Sequence, residues 1–204
     1  MTSLCHNDTP QDPRDAYLDA ARECILDVGW RRTTLTEVAR RAGVSRMTIY
    51  RSWADMPTLL GDLMTREWSG LVARTVADDP TDTGSGPAGA VERIVDEVAR
   101  TVEALRRNEL FVRIVELDPE LVLPYLLHRR GRSQELIATL LTDELARGQA
   151  AGQVRSGSPL AIARSLVLAA HGFVLSAHTM VDDDVSAADL DAELRHLLAR
   201  ALRP

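Results

Sequence analysis

The stretch Thr34 to Trp53 reads TLTEVARRAGVSRMTIYRSW, and its reading decides the fold. Thr34 and Glu37 have the spacing of a capping box, in which a hydroxyl and a carboxylate satisfy backbone amides that a helix start leaves without partners. Leu35, Val38, Ala39 and Ala42 then recur on one helical face, while Arg40 and Arg41 point elsewhere. Gly43 permits the positive φ of a sharp helix stop, and Ser45 is placed to cap a second helix running through Tyr50. The small Ala39 and Ala42 let the two helices cross closely. Two short capped helices around a tight turn make a helix-turn-helix, whose second helix lies in the major groove of DNA.

Charge agrees locally rather than globally. The chain has 24 basic residues, all arginine, against 30 acids, a net charge of −6, so it is no general binder of polyanions. Between Arg31 and Arg51, however, six arginines (Arg31, Arg32, Arg40, Arg41, Arg46, Arg51) face one acid, Glu37. A basic patch on an acidic body suits a protein that docks DNA through one face.

The segment resembles the DNA-binding domain of the tetracycline-repressor (TetR) family, whose pattern runs T-x-x-x-[IV]-A-x-x-A-G-V-S-x-x-T-[LI]-Y-x-x-[FW]. Thr34, Val38, Ala39, Ala42, Gly43, Val44, Ser45, Thr48, Ile49, Tyr50 and Trp53 stand at the matching positions. The family's usual phosphate-binding lysine in the next cap is replaced by Met56, so Arg51 or Arg32 is expected to substitute for it. Arg46 and Met47 follow the cap and are expected at base edges, Arg46 gripping guanine and Met47 touching a thymine methyl. Thr48, Tyr50 and Arg51 are expected nearer the phosphates, helped by the Thr33 or Thr34 hydroxyl, and Thr36 and Ser45 are expected at the DNA-binding face.

The rest of the chain reads as all-α, about nine helices in total, in three parts. Residues 1–11 are expected to be a disordered tail, 12–54 a three-helix DNA-binding domain, and 55–204 a larger helical ligand-binding and dimerisation domain. Asp12 and Pro13 start the first helix and Gly29 stops it. Asp55 and Pro57 start a fourth, and DDPTDTGSGPAG, residues 78–89, predicts a mobile loop. One helix follows from Val91 to Leu105 and a short one around Phe111 and Ile114. A long helical stretch then runs to Gly148, with irregularities at Pro124 and Gly131. The last two helices begin at Ser158-Pro159 and at Ser186, where Asp189 completes a capping box.

Their apolar stripes suit either a monomeric core or a seam between two copies. The resemblance implies the seam, a homodimer built on Leu166, Ala170, Phe173, Val174, Leu190, Leu194, Leu197 and Leu198. A palindromic double-stranded operator fits this, because one short reading helix covers only a few base pairs. The resemblance also implies a small, apolar effector among the middle helices, with Trp68, Leu71, Phe111, Ile114, Tyr125, His128, His171, Phe173 and His178 as candidate lining. Each of these residues also has a plain reading, since an aromatic on a helix stripe is more often core than pocket and His128 beside Arg129 and Arg130 more often surface. His171 and His178, seven apart, are too widely spaced to ligate a metal jointly without further donors.

No cofactor or metal is expected, since Cys5 and Cys24 form no CxxC pair and Cys24 lies on the apolar stripe of the first helix. An enzyme is not expected either: G-x-S-x-G, H-E-x-x-H, the P-loop and G-x-G-x-x-G are all absent. With a polar N-terminus and no apolar run of about 18 residues, the chain is expected in the cytoplasm with no membrane partner. Two readings stay open: a repressor released from its operator by ligand, and a helical small-molecule- or lipid-binding module with a vestigial helix-turn-helix.

Overall fold

The computed structural model describes residues 12–77 and 89–204. The expected tail, and the expected loop up to residue 88, lie outside the described residues. Within them ten α-helices occur and no strand. Helix α1 spans Pro13–Val28, with the Asp12 carboxylate accepting from the Arg14 amide and Gly29, at φ 83°, ending it. Then come α2 (Leu35–Arg41), α3 (Arg46–Ser52) and α4 (Met56–Ala77). The Asp55 carboxylate caps α4 by accepting from the Thr58 amide at 2.8 Å.

Helices α5 (Ala90–Arg106) and α6 (Glu109–Leu117) follow, and Asn108 caps α6. The stretch read as one long helix is two: α7 (Leu123–Leu127) and α8 (Arg132–Ala150). Pro124 sits in the first turn of α7, where its missing N–H costs nothing, and the chain leaves helical geometry at His128 before Gly131 starts α8. That break accounts for ten helices where about nine are expected. Helix α9 (Pro159–Ser176) continues into a 3-10 turn (Ala177–Met180), and α10 (Ala187–Leu202) starts at the Ser186–Asp189 capping box. Gly148 lets α8 approach its neighbours, because a Cβ there would stand 2.5 Å from Val154 Cγ2 and 3.0 Å from Ala90 Cβ.

Burial divides the helices into two cores. The first joins α1 (Leu18, Ala21, Cys24, Ile25), α2 (Leu35, Val38, Ala39), Ile49 of α3 and Trp53 to Leu59, Leu60 and Leu63 of α4. Leu110 and Ile114 of α6 complete it. The second joins α5, α8, α9 and α10 around Ile94, Leu141, Leu145, Ala163, Leu166, Leu194, Leu198 and Leu202. Packing therefore does not break after residue 54: the helix-turn-helix shares its interior with α4 and α6. Burial, the largest influence on the Cys24 thiol, pushes its pKa up, which makes it an inert core residue.

The expectation that no apolar run is long enough to span a membrane is corrected. Pro159–Met180 is 22 residues long and holds an 18-residue window with a mean hydropathy of 1.7, enough by length and composition. One face of this segment, through Ile162, Ala163 and Leu166, is buried in the second core.

Candidate DNA-reading face and ligand cavity

The turn between α2 and α3 is built by local hydrogen bonds. Thr34 Oγ1 accepts from the Glu37 amide at 3.2 Å, Gly43 takes φ 68°, and the Val44 amide donates back to the Ala39 carbonyl at 3.0 Å. Ser45 Oγ accepts from the Thr48 amide and lies 2.9 Å from Thr48 Oγ1. Only half of the expected capping box forms at Thr34. The Glu37 carboxylate turns to the Arg40 guanidinium, a charged donor that outcompetes a neutral amide, and Arg40 holds its pKa below the usual carboxylate range.

These caps hold α3 with Ile49 fully buried and Arg46, Met47, Tyr50 and Arg51 exposed. Met47 is 65% exposed. Thr34 and Ser45 are exposed, and Thr36 and Thr48 are half-buried. Thr33, the alternative to Thr34, is buried, and its hydroxyl donates to the Gly29 carbonyl at 2.8 Å. Met56 packs against the first core.

The six arginines separate into two sets. Arg31 bonds Glu120 and pairs with Asp118, Arg40 pairs with Glu37, and Arg41 pairs with Asp27 at 2.6 Å. Arg32, Arg46 and Arg51 have no ion pair among the described residues. The positive charge available to phosphates is therefore concentrated on these three, a distinction that counting charges along the sequence misses.

Between α4, α5, α6, α8 and α9 lies a cavity of about 720 Å³, within the size range of small-molecule sites. Trp68, Leu71, Phe111, Ile114, Tyr125 and His171 line it. Phe173, His128 and His178 do not: Phe173 packs against the second core, and both histidines are exposed where α7 and α9 give way to turns. Periodicity assigns a helix face but not the neighbour it meets. Gln134, not foreseen, fixes the polar end of the wall. Its Oε1 accepts from the Gly131 amide at 2.7 Å, so its Nε2 is the donor facing His171 Nε2 at 3.1 Å. His171 must then be a neutral acceptor with its proton on Nδ1, in keeping with burial lowering its pKa.

Two polar joints fasten the reading unit to the helices around this cavity. At the first, Asp62 of α4 accepts from Trp53 Nε1 at 2.8 Å and from Arg14 of α1 at 2.8 Å, and pairs with Arg132 of α8. Burial alone would raise the Asp62 pKa, but Arg132, Trp53 and Arg14 hold it below the usual carboxylate range. At the second, buried Asp118, which closes α6, accepts from the Trp30 amide at 3.3 Å and pairs with Arg31. Sequence distance hides both joints.

The residues expected at a subunit seam also separate. Leu166, Leu194 and Leu198 lie in the chain's own second core, and exposing each would forfeit about 1.5–3 kcal/mol. Ala170, Phe173, Val174 and Leu190 are half-buried, and Leu197 is 56% exposed. Leu168, 69% exposed on the outer face of α9, was not among the expected residues.

An all-helical chain with a capped helix-turn-helix and a cavity-bearing helical body is a ligand-binding, DNA-binding transcriptional regulator in architecture. Residues 18–63 match the family described as "Bacterial regulatory proteins, tetR family". An uncharacterized HTH-type transcriptional regulator of Mycobacterium bovis is 33% identical over 187 residues, covering 92% of this chain and 93% of that protein. The chain belongs to the TetR family of transcriptional regulators. In fold it is similar to the regulator FadR from Bacillus subtilis, solved in complex with stearoyl-CoA (TM-score 0.64, 18% identity, 92% of this chain and 98% of that one). It is likewise similar to the R. erythropolis TetR-family repressor QsdR (TM-score 0.63, 20% identity, 94% and 96%).

Proposed function

We propose that two copies of this chain bind a palindromic operator as a repressor, and that a largely apolar small molecule in the cavity releases them. The observation that carries this reading is a shared wall. Ile114 of α6 lines the cavity and is also part of the core that holds the reading helix, so a ligand displacing α6 or α4 acts on that core directly. Ligand binding then biases a two-state equilibrium, for which a coupling of about 1–3 kcal/mol is enough. The dimer forms through the outer faces of α9 and α10, where Leu160, Leu168 and Leu197 are exposed. A regulator of this kind works in the cytoplasm.

Selection of bound fragments from the source genome identifies the operator, and fluorescence anisotropy on that fragment measures affinity against salt. A reader of DNA loses affinity steeply as salt rises. Absence of binding at every salt concentration removes the repressor reading and leaves a helical small-molecule- or lipid-binding module.

A further inference from the structure

One end of the cavity is positively charged, against the −6 of the chain as a whole. Arg14, Arg129, Arg130 and Arg132 line it there, where the start of α1 meets the connection between α7 and α8. Arg130 pairs with Glu135 at 3.6 Å, and Arg129 stacks 4.9 Å over the Tyr125 ring. Arg14 and Arg132 converge on a single carboxylate, Asp62, each on its own oxygen. Two guanidinium groups around one carboxylate leave an uncompensated positive charge at the mouth. Glu97, also on the lining, belongs to α5 and is already engaged. Most of the remaining wall is apolar, including Leu60, Leu71, Val98, Phe111 and Leu141.

We propose that the cavity accepts an apolar carboxylic acid, whose carboxylate replaces Asp62 between Arg14 and Arg132. This deepens the ligand reading above and rests on it. The arginine forks match a carboxylate in shape, and the group they now hold is itself a carboxylate. The exchange is like for like. The side chains of Arg14 and Arg132 are 49% and 64% exposed, so a ligand can reach them from the mouth, and the displaced Asp62 carboxylate keeps the Trp53 indole N–H as its donor. A neutral chain of the same length meets the apolar wall but leaves Asp62 clasped, and a cation is repelled. Because Asp62 belongs to α4 and Arg132 to α8, the exchange also unfastens one helix from the other.

Calorimetric titration of the full chain with decanoate, decanol and decyltrimethylammonium, each below its aggregation concentration, tests this. Decanoate is expected to bind at least tenfold tighter than decanol, with the cation weakest. Asp62→Asn removes the internal competitor, so it should tighten decanoate several-fold and leave decanol unchanged. Arg132→Gln should erase the preference, and Arg14→Gln serves as a second variant if Arg132→Gln melts early. Equal binding of decanoate and decanol, no binding of any probe, or weaker decanoate binding by Asp62→Asn overturns the proposal. Operator release is read separately by anisotropy: selective binding without release supports the carboxylate site and overturns only its role as the effector site.

Discussion

Trp53, the residue that ends the reading helix, donates its indole N–H to Asp62 at 2.8 Å, and Arg14 packs its guanidinium 5.0 Å from the centre of the same indole ring. The orientation of α3 thus depends on one carboxylate of α4 that α1 and α8 also contact. Trp53→Phe keeps an aromatic ring but leaves Asp62 without this donor. It is expected to destabilise the fold by about 1–3 kcal/mol in a urea melt. An unchanged midpoint would show that the bond contributes nothing.

Acid should weaken this joint. The Asp62 pKa lies below its unfolded value, so the stability it contributes is complete above the ordinary carboxylate range and is lost as pH falls through the folded value. Thermal melts between pH 5 and pH 2.5 should therefore show a shallower decline for Asp62→Asn than for the wild type.

On the DNA face, Arg46→Ala is expected to cost about 1–3 kcal/mol at the operator and to flatten discrimination against scrambled DNA. Arg32→Ala and Arg51→Ala should weaken cognate and scrambled DNA alike and reduce the salt slope by about 1 each. Retained discrimination in Arg46→Ala would move base reading to another side chain.

Glu37→Gln offers a converse test. It frees Arg40 from its intrahelical pair, so non-specific affinity at low salt should rise and the salt slope steepen by about 0.9. A slope equal to the wild type would mean that Arg40 lies out of reach of the phosphates.

Leu168→Glu and Leu197→Glu place charge on the exposed faces of α9 and α10 and should yield folded monomers by light scattering. Leu194→Glu, in the second core, should instead fail to fold. A dimer that survives both surface variants would place the seam elsewhere.

His171 should make stability sensitive to mild acid. Burial lowers its folded pKa, so stability is complete above the ordinary imidazole value of about 6.5 and declines as pH falls below it, where the unfolded chain binds the extra proton. His171→Gln should reduce the loss in melting temperature between pH 7.5 and pH 5.5. An identical pH profile would show that another group carries that sensitivity.

What was legible in the sequence is what local chemistry determines. The caps at Asp12, Thr34, Asp55, Ser158 and Ser186 each act across two or three residues and form where expected. The Asp62 joint was not legible, since its partners Trp53, Arg14 and Arg132 are 9, 48 and 70 residues away. The same limit explains the seam: periodicity showed that Leu166 and Leu194 face something apolar, but not that the neighbour is their own chain. It explains Arg31 and Arg41 too, whose charges count as available until Glu120 and Asp27 are seen beside them.

Because Leu110 and Ile114 of α6 complete the core beneath the reading helix, the DNA-binding head is not a detachable module. A fragment cut after residue 54 would expose Ile25, Val38 and Ile49 where α4 and α6 now cover their core. A chimaera that grafts this head onto another sensor must therefore carry its own α4 and a matching α6. On the reading proposed above, changes of DNA preference arise on α3 alone, whereas exchange of whole sensors is constrained by a seam more than fifty residues further along the chain.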